Sequence, residues 1–205
     1  MLAASEISVI KTKISDEFDD YIGMYDFDKY PAAPYQNFKQ SFSTVKIEPQ
    51  FVHNAMVWKW GHWGKSNFPE RHKMLIADIE KHWPEFASSS ACRKPRETYE
   101  FWQQALGTGK RFITCAFLSH LTHAETVPLI DQHNYRAMHG FLSLVRPTHT
   151  WKRRPSNWTD IETLSAFVCQ MTEVLGRSES EIDKFLMMYG RKWKTHIDNK
   201  RPKRR

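Results

Sequence analysis

Apolar residues recur along this chain three and four positions apart, and strict alternation is rare, so helices are expected throughout. Ile7, Ile10, Ile14, Phe18 and Ile22 fall on one face of a first helix over 6–25. The stretch 30–50 carries Pro31, Pro34 and Pro49 and reads mostly as loop, with Phe38 and Phe42 marking a short helix. Residues 51–59 read as helix until Gly61 and Gly64 break the pattern; a further helix is expected over 69–83, and a polar linker over 88–93. Pro95 suits the first turn of a helix running to Leu106. Residues 110–122 follow, with Phe112, Cys115, Ala116 and either Leu118 or Ser119 facing inward. Asp131 reads as the cap of a helix reaching Val145. Thr159-Asp160-Ile161-Glu162 and Ser178-Glu179-Ser180-Glu181 read as capping boxes opening two more helices, one ending at Gly176 and the other running through Tyr189. No internal repeat interrupts this succession, and the expected fold class is all-α.

At 205 residues the chain suits one helical domain over 1–190, or two small lobes sharing a core, followed by a basic tail over 191–205. The tail holds eight lysines and arginines against Asp198 alone, which accounts for the whole formal charge of +7 and leaves the body near neutral. Such a tail reads as an electrostatic arm for nucleic acid, a solubilising segment or a localisation signal. With only Cys92, Cys115 and Cys169, far apart, there is no CxxC pair, so a cysteine zinc site or a four-cysteine iron–sulfur cluster on this chain is excluded. The sparse cysteines point to a reducing compartment. No basic start leads into an apolar stretch, and no apolar run approaches the ~20 residues that span a bilayer. The expectation is a soluble cytoplasmic protein with no membrane partner.

Two segments carry candidate chemistry. The first is Leu106-Gly107-Thr108-Gly109-Lys110-Arg111, between two predicted helices. Gly107 and Gly109 permit positive backbone angles and a close approach by a nucleic-acid backbone. Unpaired amides at the following helix start can bind a phosphate oxygen, and Lys110 and Arg111 reinforce that attraction. The second is Val127-Pro128-Leu129-Ile130-Asp131, an apolar lead-in that delivers one carboxylate to a helix start, followed by His133 and Arg136.

The two segments together resemble the helix-hairpin-helix DNA glycosylase superfamily. There a glycine-rich hairpin is followed, roughly twenty residues later, by an apolar run, an aspartate, a histidine two residues on and an arginine beyond it. Here Asp131 lies 22 positions after Gly109, and His133 and Arg136 fall at the matching places. The likeness covers about residues 100–145 and is greatest to compact bacterial proteins similar to oxidised-guanine glycosylases. It implies a helical bundle with its active site in a cleft between two lobes, acting as a monomer on double-stranded DNA, nucleoid-associated when bound. It also implies base flipping and hydrolysis of the N-glycosidic bond to leave an abasic site. The setting would be base excision repair, or defence against phages carrying glucosylated hydroxymethylcytosine. Asp131 would stabilise the cation-like sugar and direct the attacking water. A cofactor is not implied, beyond a monovalent cation held by hairpin backbone carbonyls. The hairpin departs from the family's Leu-Pro-Gly-x-Gly, being one residue shorter and without the proline. Strand-cutting members place a lysine where this chain has Arg111, which is too poor a nucleophile for a Schiff base. The resemblance therefore implies a monofunctional enzyme with weak or no lyase activity, Lys110 being a second catalytic candidate only if the shortened turn brings it into the pocket.

A base-extruding enzyme needs an aromatic slot or wedge. Trp60, Trp63 and His62 are the candidates, whereas Trp58, after Val57 on an apolar face, reads as core. The segment from Arg146 to Arg154, with Trp151, mixes cations and an aromatic as a strand-gripping loop would. Gly107, Gly109, Lys110, Arg111, His133, Arg153 and Arg154 are thus the candidate DNA contacts, although His133 also suits packing and Arg136 suits bracing of the fold. A hairpin protein that recognises altered DNA without chemistry is the alternative. A nuclease using Glu97, Glu100, Glu125 and Asp131 ranks last, because no compact metal-ligand spacing unites them. His120 and His123, without a third ligand, read as packing residues, so no side-chain metal site is expected.

Overall fold

The structure is a computed structural model describing residues 2–44, 47–107 and 111–199, with side chains for all of these except 49 and 193–199. Among the described residues the secondary structure is helical, with nine α-helices and no strand, so the chain is all-α. No helix among them is long and apolar enough to cross a membrane. The chain divides into two compact units, one formed by the residues up to Tyr25 together with those from Pro128 onward, the other by Asp26–Val127.

The first unit contains α1 (Ala4–Ile22), α7 (Gln132–Val145), α8 (Trp158–Leu175) and α9 (Glu179–Asn199). Its core follows from the periodicity of α1: Ile10, Ile14, Phe18 and Tyr21 are buried at helical spacing. Phe18 stacks on Phe185 of α9 at 5.3 Å, and Phe141 of α7 stacks on Tyr189 at 4.5 Å. Gly176 ends α8 in the left-handed conformation (φ 63°), as expected for a glycine after a helix.

Two expectations shift here. The capping box opening α8 lies two residues upstream of Thr159, because Asn157 and Asp160 exchange backbone-to-side-chain bonds: the Asp160 amide donates to Asn157 Oδ1 at 3.1 Å, and the Asn157 amide donates to Asp160 Oδ2 at 3.2 Å. Glu162 instead accepts the Trp158 indole N–H. Second, α9 does not stop near Tyr189 but runs to Asn199, so the basic segment from 191 begins inside a helix. Gly190 sits mid-helix where α9 meets α7. A Cβ there would lie 1.9 Å from the His133 carbonyl oxygen, so only glycine allows this approach.

The second unit contains α2 (Ala32–Phe42), α3 (Pro49–Lys59), α4 (Glu70–Ser88), a 3-10 turn (Ser90–Arg93), α5 (Pro95–Ala105) and α6 (Phe112–Thr122). The expected loop of 30–50 is largely helix. Pro31 caps α2 and Pro34 lies in its first turn, where a missing N–H costs nothing, while Phe38 and Phe42 bury one face. Helix α4 likewise continues through Pro84 to Ser88. Phe86, fully buried against Trp102 at 5.0 Å and Phe101 at 5.2 Å, offsets the backbone bond that the proline removes. Trp83 and Trp102 stack at 5.6 Å to complete this aromatic core. From Thr114 to Thr122 every residue of α6 is buried.

Candidate active site

Val127 and Ile130 are buried on either side of Pro128 and Leu129, and the backbone arrives at Asp131 fully extended (φ −142°, ψ −179°). That conformation turns the carboxylate back onto the first turn of α7. Its Oδ1 accepts the His133 amide at 2.6 Å and the Asn134 amide at 3.0 Å. Asn134 completes the clamp: its Oδ1 accepts the Asp131 amide at 2.8 Å, while its Nδ2 donates to the Leu129 carbonyl and to Asp183 Oδ1 of α9, the latter at 2.9 Å. Asp131 is half-buried, and among the described residues its Oδ2 takes part in none of these bonds. One oxygen fixes the group and the other is left to act, which is what an electrostatic or water-orienting carboxylate requires.

His133 and Arg136, the other residues of this motif, brace the helix. The half-buried His133 ring has Nδ1 3.4 Å from Arg136 Nη1, and buried Arg136 donates to the Gly190 carbonyl at 2.9 Å. Arg136 therefore ties α7 to α9 through a backbone oxygen.

Further along the same face of α7 lies a polar cluster that sequence reasoning missed. Tyr135 donates its hydroxyl to Asp160 Oδ1 at 3.0 Å. Asp160 Oδ2 accepts the Ser156 amide at 2.7 Å and the Lys152 ammonium at 3.1 Å. Burial alone would raise the Asp160 pKa; these donors outweigh it and hold the carboxyl below its ordinary value. One turn on, His139 Nδ1 meets His149 Nε2 at 2.7 Å, and the His139 ring lies parallel to Trp151 at 5.1 Å. Burial, then the proximity of His149, pushes His139 down to about 4. The available signal was the spacing 131, 135, 139, which puts three polar side chains on one helix face.

These contacts change the reading of the 146–154 loop. Arg146 is bound to Glu6 of α1 through two bonds, at 2.6 and 2.8 Å, and the pair holds Glu6 down to about 2, chiefly through the Arg146 hydrogen bond. Lys152 is engaged by Asp160, and Trp151 by His139. The exposed cations Arg153 and Arg154 sit at the outer edge of a loop pinned from within.

In the second unit, Gly107 follows α5 with φ +82°, the left-handed geometry expected at the first hairpin glycine. Thr108, Gly109 and Lys110 lie outside the described residues. Arg111 caps α6 and is ion-paired to Asp78 at 3.0 Å. Trp58 is core, as expected: its indole N–H donates to the Pro31 carbonyl at 3.0 Å and its ring stacks on Tyr35 at 4.6 Å. Trp60 stacks on His72 at 4.1 Å, His62 Nε2 meets His72 Nδ1 at 3.0 Å, and Trp63 packs edge-on against Phe38 at 6.0 Å. All three candidate wedge residues are half-buried against neighbours of their own unit. His120 and His123 are packing residues. The His120 Nδ1–H donates to the Val127 carbonyl at 2.6 Å, which leaves Nε2 to accept the Tyr35 hydroxyl at 2.5 Å. His123 Nε2 meets Thr98 Oγ1 at 2.8 Å. Glu97 and Glu100 are paired to Lys94 and Arg96 on the surface of α5. Among the described residues no three His, Cys, Asp or Glu side chains converge as a metal site.

Comparisons with protein-family models, with curated proteins and with solved structures found no match to this chain.

Proposed function

We propose that this chain is a DNA glycosylase that hydrolyses the bond between a modified base and its deoxyribose, with Asp131 as the acting carboxylate. The observation that carries the proposal is the division of labour within Asp131: Oδ1 is fixed by two amides of α7, and among the described residues Oδ2 of this half-buried side chain takes part in no such bond. As the base departs, positive charge develops on the sugar, and a preorganised anion lowers the barrier because it need not reorganise. The same oxygen can orient, and accept a proton from, the water that attacks the sugar carbon. Arg111 is engaged by Asp78 and cannot serve as a Schiff-base amine, which favours hydrolysis without strand cleavage. Arg153 and Arg154, exposed in the same unit as Asp131, are the proposed backbone contacts.

The test is mass spectrometry of bases released from a panel of duplexes, including oxidised, alkylated and deaminated bases and DNA with glucosylated hydroxymethylcytosine. Release of one base class by the wild-type chain, leaving abasic sites without strand breaks, is the expected result. Tight binding to one of these duplexes with no release would instead identify a recognition module in which Asp131 is only a helix cap.

A further inference from the structure

The first unit carries a cavity of about 580 Å³, away from Asp131 along α7 and α8. That volume lies within the ~300–1,000 Å³ of small-molecule sites. Its floor is apolar, built from buried Met138, Leu142 and Phe167. Its rim is a stripe of exposed residues on α8, Glu162, Ala166, Cys169 and Glu173, spaced so that all four share one helix face. The two glutamates stand at opposite ends, eleven residues and therefore about 16 Å apart along the helix axis.

Among the described residues the charges lining this cavity do not cancel. Arg146 also lines it but is neutralised by its two bonds to Glu6. The Trp158 indole N–H holds Glu162 Oε1 at 2.7 Å and so fixes that carboxylate at its end of the groove. No Lys or Arg among the described residues forms an ion pair with Glu162 or Glu173. An apolar trough with a carboxylate at each end, neither ion-paired among the described residues, is complementary to an aliphatic chain bearing a cation at each end. An extended chain gains roughly 1.2 Å per bond, so about a dozen atoms between the charges would span the two glutamates.

We propose that this groove binds an elongated aliphatic dication of the long-chain diamine or polyamine class, with one ammonium on Glu162 and the other on Glu173. The proposal is independent of base release and concerns a different face of the unit.

Calorimetric titration of the full chain with 1,12-diaminododecane tests it, alongside 1,6-diaminohexane and 1,12-dodecanediol. A Cys92→Ser variant makes Cys169 the accessible thiol, Cys115 being buried, so protection from a thiol reagent reports occupancy at this site. The long diamine should bind and slow Cys169 modification, the short one should bind at least tenfold more weakly, and the diol should fail to protect. Glu162→Gln and Glu173→Gln should each weaken binding about threefold to tenfold, as expected for a partly exposed ion pair. Both positions are exposed, so circular dichroism should show the variants folded. Equal binding by the diol, indifference to both glutamine variants, or no protection of Cys169 by the long diamine would overturn the proposal.

Discussion

Replacing Gly190 with alanine puts two opposed effects into one measurement. Alanine is the better helix former by about 1 kcal/mol, and Gly190 lies inside α9, so propensity alone predicts stabilisation. Packing predicts the reverse. The new methyl would sit 1.9 Å from the His133 carbonyl oxygen and 2.6 Å from its carbon, whereas ordinary contacts begin near 3.4 Å. The obstacle is backbone and cannot rotate away, so α7 and α9 must part locally by roughly 1.5 Å, a strain of about 3 kcal/mol or more. Separation also stretches the 2.9 Å bond from Arg136 to the Gly190 carbonyl, worth about 1 kcal/mol. The net expectation is a loss of about 2–4 kcal/mol, read by urea denaturation as a midpoint lowered by roughly 1–2 M for a slope near 2 kcal/mol per M. Gly176→Ala, at φ +63° with nothing within 4 Å of the added carbon, is the control and should lose only about 1 kcal/mol to backbone strain. A Gly190→Ala chain as stable as wild type, or more so, would refute the close α7–α9 crossing. Because His133 supplies one of the amides that fix Asp131, it would also undermine the geometry of the candidate site.

Other expectations follow from the same contacts. His120 and His139 are both pushed down to about 4, chiefly by burial, from an ordinary 6.5. The unfolded chain therefore binds protons first, so the stability they contribute is complete above pH 6.5 and is lost as pH falls toward 4. Each should cost roughly 2 kcal/mol at pH 5 relative to pH 7.5, and a stability that is flat between those values would contradict their burial as neutral rings. Tyr35→Phe leaves His120 Nε2 buried without a donor and should destabilise the chain by about 1–2 kcal/mol in thermal or urea unfolding, with no loss expected if the hydroxyl is dispensable. If Arg153 and Arg154 meet phosphates, replacing both with alanine should reduce the slope of log affinity against log salt by about 2, measured by fluorescence anisotropy on duplex DNA. Arg146→Ala should leave that slope unchanged while lowering stability, because its guanidinium is already committed to Glu6.

Much of the fold was legible because its signals are local. The apolar face of α1, the cap at Asp131, the left-handed end at Gly176 and the buried position of Trp58 each depend on residues within one or two turns. What escaped depends on partners distant in sequence. The need for glycine at 190 shows only once its neighbour across the crossing is known to be His133. Arg111 and Arg146 look like free cations until Asp78 and Glu6 are seen beside them. The Tyr135–Asp160 and His139–His149 pairs join α7 to a loop and to the start of α8, and neither pair shows in a periodicity. For the candidate site, the sequence identified the carboxylate and its helix start, but not that a single oxygen does the capping, which is a matter of side-chain geometry.

The most direct test of the central claim is Asp131→Asn. Asparagine caps a helix as well as aspartate does, so its Oδ1 can keep both amide bonds from His133 and Asn134 while the negative charge is removed. Single-turnover base release, measured beside duplex binding and thermal stability, should fall by three orders of magnitude or more, with binding within a fewfold and melting within a few degrees of wild type. Base release that persists at the wild-type rate in this variant would show that position 131 caps α7 and does nothing more.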